Sequence, residues 1–164
     1  MSSGARAGTV VIGLGNPLMG DDGLGLAALG LLQSRWTFDP PVRLVDGGTW
    51  GLTLLPTFED AERVLLLDAI NVGAAPGAPV WLAGADLPRT LALKVSPHQV
   101  DVREVLALAE LRGTVPDPLV AIGLQPAEIR MQTALSAPVA AGLPGLVEQA
   151  VSQLEEWGHR ALPL

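Results

Sequence analysis

No cysteine occurs anywhere in the 164 residues, which removes disulfide frameworks, thiolate nucleophiles and cysteine-ligated zinc together. Tyrosine is absent as well. With two Phe and four Trp the aromatic content is only 4%, so a core has to be built from Leu, Val, Ala and Ile. Basic residues are scarce: ten Lys and Arg face seventeen Asp and Glu, for a formal net charge of −7. The Arg residues are scattered and form no stripe, which disfavours polyanionic partners. Two histidines make up the whole imidazole supply. No apolar run approaches a membrane span, and the short stretch ahead of the first strand has no signal-type apolar segment. The expectation is a cytoplasmic protein that meets neither nucleic acid nor membrane and whose chemistry rests on carboxylates, hydroxyls or histidine.

What is present suits one compact domain over residues 1–164, since 49% of the chain is hydrophobic and the length is too short for two ordinary cores. Short β-type runs alternate with helical patterns, which predicts a three-layer α/β/α sandwich. Strands are expected over 9–14, 42–45, 64–67, 79–82 and 119–123. The 64–67 run is continuously apolar, as in a strand covered on both faces, while Pro79 marks 79–82 as an edge strand. Helices are expected from 22 or 23 to about 34, near 52–58, over about 101–111 and somewhere within 137–157, where Pro144 would kink or bound the last. Two starts compete for the third helix, because Ser96 with Gln99 and Asp101 with Glu104 both have capping-box spacing.

The opening loop carries the strongest chemical signal. Thr9-Val10-Val11-Ile12 runs into Gly13-Leu14-Gly15-Asn16, as a phosphate-binding turn would, and then Asp21-Asp22-Gly23-Leu24-Gly25 places two carboxylates where a phosphate would be repelled. A cation would be welcome there. Asp46 follows the second strand and Asp68 the third, and in a parallel sheet such residues gather on one rim, where ligands of open α/β sheets bind.

Each carboxylate also has a plain reading. Asp21 or Asp22 fits a helix N-cap, Asp21 being the less certain of the pair and fitting either a cap or a group that supports the neighbouring ligand, and Asp46 before Gly47-Gly48 fits an ordinary turn. Asp68 is harder to explain away, because a charge attached to an apolar strand needs pairing, hydration or a ligand. His98 stands beside Ser96-Pro97 at a helix entrance, whereas His159 in the polar tail reads as solvated surface. Asp22, Asp68 and His98 together would supply two oxygens and one nitrogen, a set suited to zinc or nickel with a position left open.

The ordered series Gly13-Leu14-Gly15-Asn16, Asp21-Asp22-Gly23-Leu24-Gly25, Asp46-Gly47-Gly48-Thr49, Leu67-Asp68-Ala69, Ser96-Pro97-His98-Gln99 and Gly123-Leu124-Gln125-Pro126 resembles the hydrogenase maturation protease family over nearly the whole chain. The resemblance implies a phosphorylase/hydrolase-like sandwich with a mixed five-stranded sheet, parallel except for one strand, which is assigned here to 79–82. It implies an endopeptidase that removes the C-terminal extension of a nickel-iron hydrogenase large-subunit precursor after nickel insertion, using the nickel as recognition element. By position, the metal-binding residues fall on Asp22, Asp68 and His98; the first is Glu in some members, so Asp22 is a shorter ligand. Asp46 falls on an acidic residue expected to orient or contact substrate. Cleavage is expected to use a metal-polarised carbonyl or metal-bound water, with Asp22 or Asp46 taking the proton. The catalytic set is thus Asp22, Asp46, Asp68 and His98. The metal is expected to be nickel brought by the precursor, with zinc or another divalent ion able to stand in, and the protein is expected to act as a monomer.

Two other readings share parts of this pattern. Val11-Ile12-Gly13-Leu14-Gly15-Asn16-Pro17 is also similar to the start of peptidyl-tRNA hydrolases, but the stretch that follows has no histidine and two negative charges, and a tRNA would be repelled. A non-catalytic nickel-binding maturation factor or Rossmann-like module is the other; Gly13-x-Gly15-x-x-Leu18 lacks the third glycine of a dinucleotide fingerprint.

Overall fold

The computed structural model describes residues 7–48, 51–84, 87 and 97–164, with the side chains of residues 7, 97–101 and 103 outside it. Strand β1 (Ala7–Leu14) leads through a 3-10 turn (Gly20–Gly23) into α1 (Leu24–Arg35) and on into β2 (Trp36–Asp39) and β3 (Arg43–Gly48). A second 3-10 turn (Gly51–Leu54) and α2 (Leu55–Asp60) precede β4 (Ala61–Ala69) and β5 (Pro79–Ala83). Helix α3 (Pro97–Arg112), β6 (Leu119–Leu124), α4 (Ala137–Glu156) and β7 (Arg160–Pro163) complete the order.

The main sheet has five strands in the order β3-β1-β4-β6-β5. All neighbours are parallel except β5, which runs antiparallel to β6 at the edge. Pro79 is tolerated there because an edge strand has a side on which no ladder N–H is required.

Alternation along the strands builds two cores. Val10, Ile12, Leu14, Val64 and Leu66 pack with Phe58 of α2 and Val102, Val105 and Leu106 of α3. Val11, Leu65, Leu67, Val120 and Ile122 pack with Leu24, Ala28 and Leu32 of α1 and Leu146, Val147 and Ala150 of α4. The expected three layers are therefore present, and each central strand is apolar on both faces because each face meets a helix layer.

Several expectations are corrected. Helix α3 begins at Pro97, four residues before the expected Asp101, because proline at a first helical position needs no N–H partner. Ser96, the cap residue of that start, lies outside the described residues. Pro144 neither ends nor begins α4, which continues through it. Both Pro144 and Ala140 are exposed, so the carbonyl that the missing N–H leaves free can be taken by water.

Strands β2 and β7 form a separate antiparallel pair that the sequence reading did not anticipate, and His159 is buried rather than solvated, with 5% exposure. His159 Nδ1 lies 2.7 Å from the Pro40 carbonyl oxygen and Nε2 lies 2.7 Å from Thr9 Oγ1. A carbonyl only accepts, so Nδ1 carries the proton and Nε2 accepts from the threonine hydroxyl. This bond ties the last strand to β1. Thr9→Val is expected to leave Nε2 without its donor and to cost about 1–3 kcal/mol, read as a melting temperature several degrees lower.

Among the described residues, no helix is long and apolar enough to cross a membrane.

Candidate active site

The site is built where the parallel strands end. Gly15, at φ 121°, turns the chain out of β1, and its N–H donates to the Gly48 carbonyl at the end of β3 (3.0 Å). The 3-10 turn that follows packs against β4. Gly25 explains how closely: a Cβ there would run into the carbonyl oxygens of Leu67 and Leu14. The turn carrying Asp22 is therefore held against the last residues of β4, next to Asp68.

Both carboxylates are nearly sealed, Asp22 and Asp68 each being 2% exposed. Asp22 Oδ2 accepts the Asn16 N–H (3.1 Å), and Asp68 Oδ1 accepts the N–H of Ala69 (2.8 Å). Asp68 continues the alternation of Val64 and Leu66, on the face packed by α2 and α3. His98 falls in the first turn of α3, the helix of that same layer, while its side chain lies outside the described residues. Among the described residues no three His, Cys, Asp or Glu form a metal-ligating group. Asp22 and Asp68 could supply two oxygen donors, and the third donor expected from the sequence is His98.

Asp46 stands apart from that pair. It pairs with Gly13, and Gly13 pairs with Leu67, so Asp46 lies two strands from β4, roughly 10 Å away. Val45 packs into the α2/α3 core and Leu44 into the α1/α4 core, so alternation turns Asp46 toward the α1 side, opposite to Asp68. It is exposed.

Two residues at this rim stand outside the expected catalytic and metal-binding sets. Gln125 is buried, 6% exposed. Its Oε1 accepts the N–H groups of Val72 (2.8 Å) and Ala74 (3.2 Å), and its Nε2 donates to Asn71 Oδ1 (3.0 Å). It thus joins the loop after β4 to the loop after β6; its only sequence signal was its place in the Gly123-Leu124-Gln125-Pro126 block. The second is Asp21, fully buried at 0% exposure, whose carboxylate accepts the N–H groups of Ala127, Glu128 and Ser136 and the Ser136 hydroxyl at 2.7–2.9 Å. The capping reading fails for both aspartates, since neither the 3-10 turn nor α1 has a side-chain cap bond.

Burial pushes the Asp21 carboxyl up, but the donors from Glu128, Ser136 and Ala127 outweigh it and hold the group below its ordinary value of 3.8. A carboxyl depressed on folding contributes stability above its unfolded value, and that contribution is lost as pH falls through the folded value. Asp21→Asn is therefore expected to show a shallower loss of stability between about pH 5 and pH 2, measured by thermal melts across that range.

The sequence model of the hydrogenase maturation protease family matches residues 28–153. The chain is 39% identical over 156 residues to the hydrogenase expression/formation protein HoxM of Cupriavidus necator, covering 94% of this chain and 77% of that one. It is 30% identical over 155 residues to the hydrogenase 2 maturation protease of Escherichia coli, covering 94% of each. The structure superposes on the hydrogenase maturating endopeptidase HybD from E. coli with a TM-score of 0.90 at 30% identity, over 96% of this chain and 98% of that one. These comparisons lend no support to the peptidyl-tRNA hydrolase reading or to that of a non-catalytic nickel-binding factor.

Proposed function

The chain belongs to the hydrogenase maturation protease family, and from that membership we propose an endopeptidase that removes the C-terminal extension of a nickel-iron hydrogenase large-subunit precursor and recognises the nickel already inserted in it. The observation that carries the site assignment is the pair of sealed carboxylates, Asp22 and Asp68, at adjoining strand ends. A buried carboxylate is costly unless it meets donors or a cation. Two carboxylate oxygens and the imidazole of His98 suit nickel, with zinc or another borderline divalent ion as a substitute.

In this reading the metal is part of the substrate. Asp22, Asp68 and His98 grip it, and that grip sets the neighbouring peptide bond at the rim, converting a loose encounter into a fixed geometry. Because Asp46 is exposed and turned to the other face, this reading assigns it to contact with the precursor chain and assigns to Asp22 the proton taken from the attacking water. Asp46→Asn is accordingly expected to raise KM about two- to tenfold with kcat unchanged; an equal fall in kcat would return Asp46 to the proton-transfer role. The same reading has the protein work as a cytoplasmic monomer, with a net charge of −7 that keeps nucleic acid away.

The direct test mixes the protein with purified nickel-loaded precursor and reads the C-terminal mass of the product. Wild type is expected to shorten the precursor and His98→Ala to leave it intact. Equal cleavage by both would overturn the ligand assignment.

A further inference from the structure

Asp21 has no part in gripping metal or moving protons in the proposed reaction, yet its carboxylate accepts four hydrogen bonds. Its Oδ2 accepts the Ala127 N–H (2.8 Å), the Glu128 N–H (2.9 Å) and the Ser136 hydroxyl (2.8 Å), and its Oδ1 accepts the Ser136 N–H (2.7 Å). The backbone reinforces the same junction. Asp21 N–H donates to the Glu128 carbonyl (3.0 Å), Gly20 N–H to the Gln132 carbonyl (2.7 Å), and Gln132 N–H to the Leu18 carbonyl (3.0 Å). The loop after β6 and the turn after β1 are thus fastened across more than a hundred positions of sequence.

Ser136 shows that this junction takes precedence over local stability. It occupies the N-cap of the 20-residue helix α4, yet its side chain makes no cap bond to that helix and donates to Asp21. A serine at an N-cap ordinarily accepts a bond from its own helix's first turn, so a local gain is given up for a tertiary contact. Features that break a local rule in favour of a distant one concentrate at functional sites.

We propose that Asp21 is a positioning residue, which clasps the turn of Gly20–Gly23 to the 126–136 loop and thereby sets where Asp22 stands at the rim. Asp21 and Asp22 are consecutive in one 3-10 turn, so their Cα atoms are held about 3.8 Å apart and one cannot move without the other. The turn has no side-chain cap of its own; it packs against β4 on one side and is hydrogen-bonded to the 126–136 loop on the other. A displacement of about 1 Å in a reacting geometry costs on the order of 10²-fold in rate. The proposal rests on the reading of Asp22 as a contact to the precursor's metal.

Asn16 reports the position of Asp22 with no substrate present, because its N–H donates to Asp22 Oδ2 at 3.1 Å. Hydrogen exchange followed by NMR on the full chain therefore tests the clasp independently of activity. Asp21→Asn keeps the shape but turns one acceptor into an NH2 group that faces an N–H donor. It is expected to accelerate exchange at Ala127, Glu128 and Ser136, and at Asn16 as well. With nickel-loaded precursor, well below the melting temperature, its kcat is expected to fall about 10- to 100-fold with KM within about twofold. Ser136→Ala, which loses one donor and no helix cap, is expected to lower kcat less, and Ser136→Thr to restore it through the retained hydroxyl. Unchanged exchange at Asn16 in Asp21→Asn overturns the proposal whatever the activity. Unchanged kcat beside a lowered melting temperature overturns it too, by reducing Asp21 to a structural role. Faster exchange at Asn16 in Asp21→Asn than in wild type, together with a wild type that cleaves no precursor, supports the clasp and rejects the reaction.

Discussion

Asp68→Asn is expected to lower cleavage of nickel-loaded precursor about 10²- to 10³-fold while leaving the fold intact. The side chain is buried at the end of β4, 2% exposed, in a strand whose other inward residues are Val and Leu. Asparagine keeps the shape and keeps an oxygen to accept the Ala69 N–H that Asp68 Oδ1 now takes at 2.8 Å, so packing and the local bond survive. What disappears is the negative charge, and in a site shielded from water a charge acts on a cation far more strongly than at the surface. The variant is expected to keep a cooperative melting transition, so that lost cleavage is not lost fold. Cleavage rates and melting curves on the same preparation check both halves. A variant that cleaves within about threefold of wild type removes Asp68 from the reaction.

Gly25→Ala is expected to be strongly destabilising, and Gly30→Ala on the same helix to be stabilising. A Cβ at position 25 would meet the Leu67 and Leu14 carbonyl oxygens and lie 2.8 Å from the Leu14 nitrogen. All three are backbone atoms of β1 and β4, with no side chain to swing away. Overpacking of a closed core costs about 1–3 kcal/mol, and backbone on every side puts this case at about 3 kcal/mol or more. For a chain of this length that is a fall in melting temperature of roughly 6–12 °C. The relief movement, separation of α1 from the strands, also carries Asp22 away from Asp68, so activity is expected to fall further than the folded fraction. At Gly30 nothing lies within 4 Å of the added carbon and the position is exposed. Alanine there is expected to add about 0.5–1 kcal/mol through lower unfolded-chain entropy and better helix propensity. Thermal melts of the pair suffice. Equal effects would mean that α1 does not sit against β1 and β4 as described.

The elements that were legible in the sequence are those whose signal is local. The apolar runs of β1 and β6 announce strands, that of β4 announces a strand covered on both faces, and Pro79 marks β5 as an edge. The burial of Asp68 follows from its attachment to Val64-Leu65-Leu66-Leu67. What could not be read depends on distant pairing. Strands β2 and β7 have four residues each and are joined only across the ends of the chain, so His159 gave no sign that Thr9 and Pro40 would enclose it. The position of Asp46 depends on the parallel register Gly13↔Asp46 and on parity along β3, which a turn-like Asp-Gly-Gly does not reveal. Sequence leaves Asp21 open between a cap and a supporting group because its partners, Ala127, Glu128 and Ser136, lie more than a hundred residues away. In the opening loop the two adjacent carboxylates have separate surroundings: the turn carrying Asp22 packs against β4, and Asp21 is hydrogen-bonded to the loop after β6.

The central claim is that the metal in the precursor guides the cut, and one measurement bears on it most directly. The same purified large-subunit precursor, prepared with and without nickel, is incubated with wild-type protein, and the C-terminal mass of each product is determined. The account predicts loss of the extension from the nickel-loaded form and an unchanged mass for the nickel-free form. Equal shortening of both would contradict it, because Asp22, Asp68 and His98 would then have no metal to read.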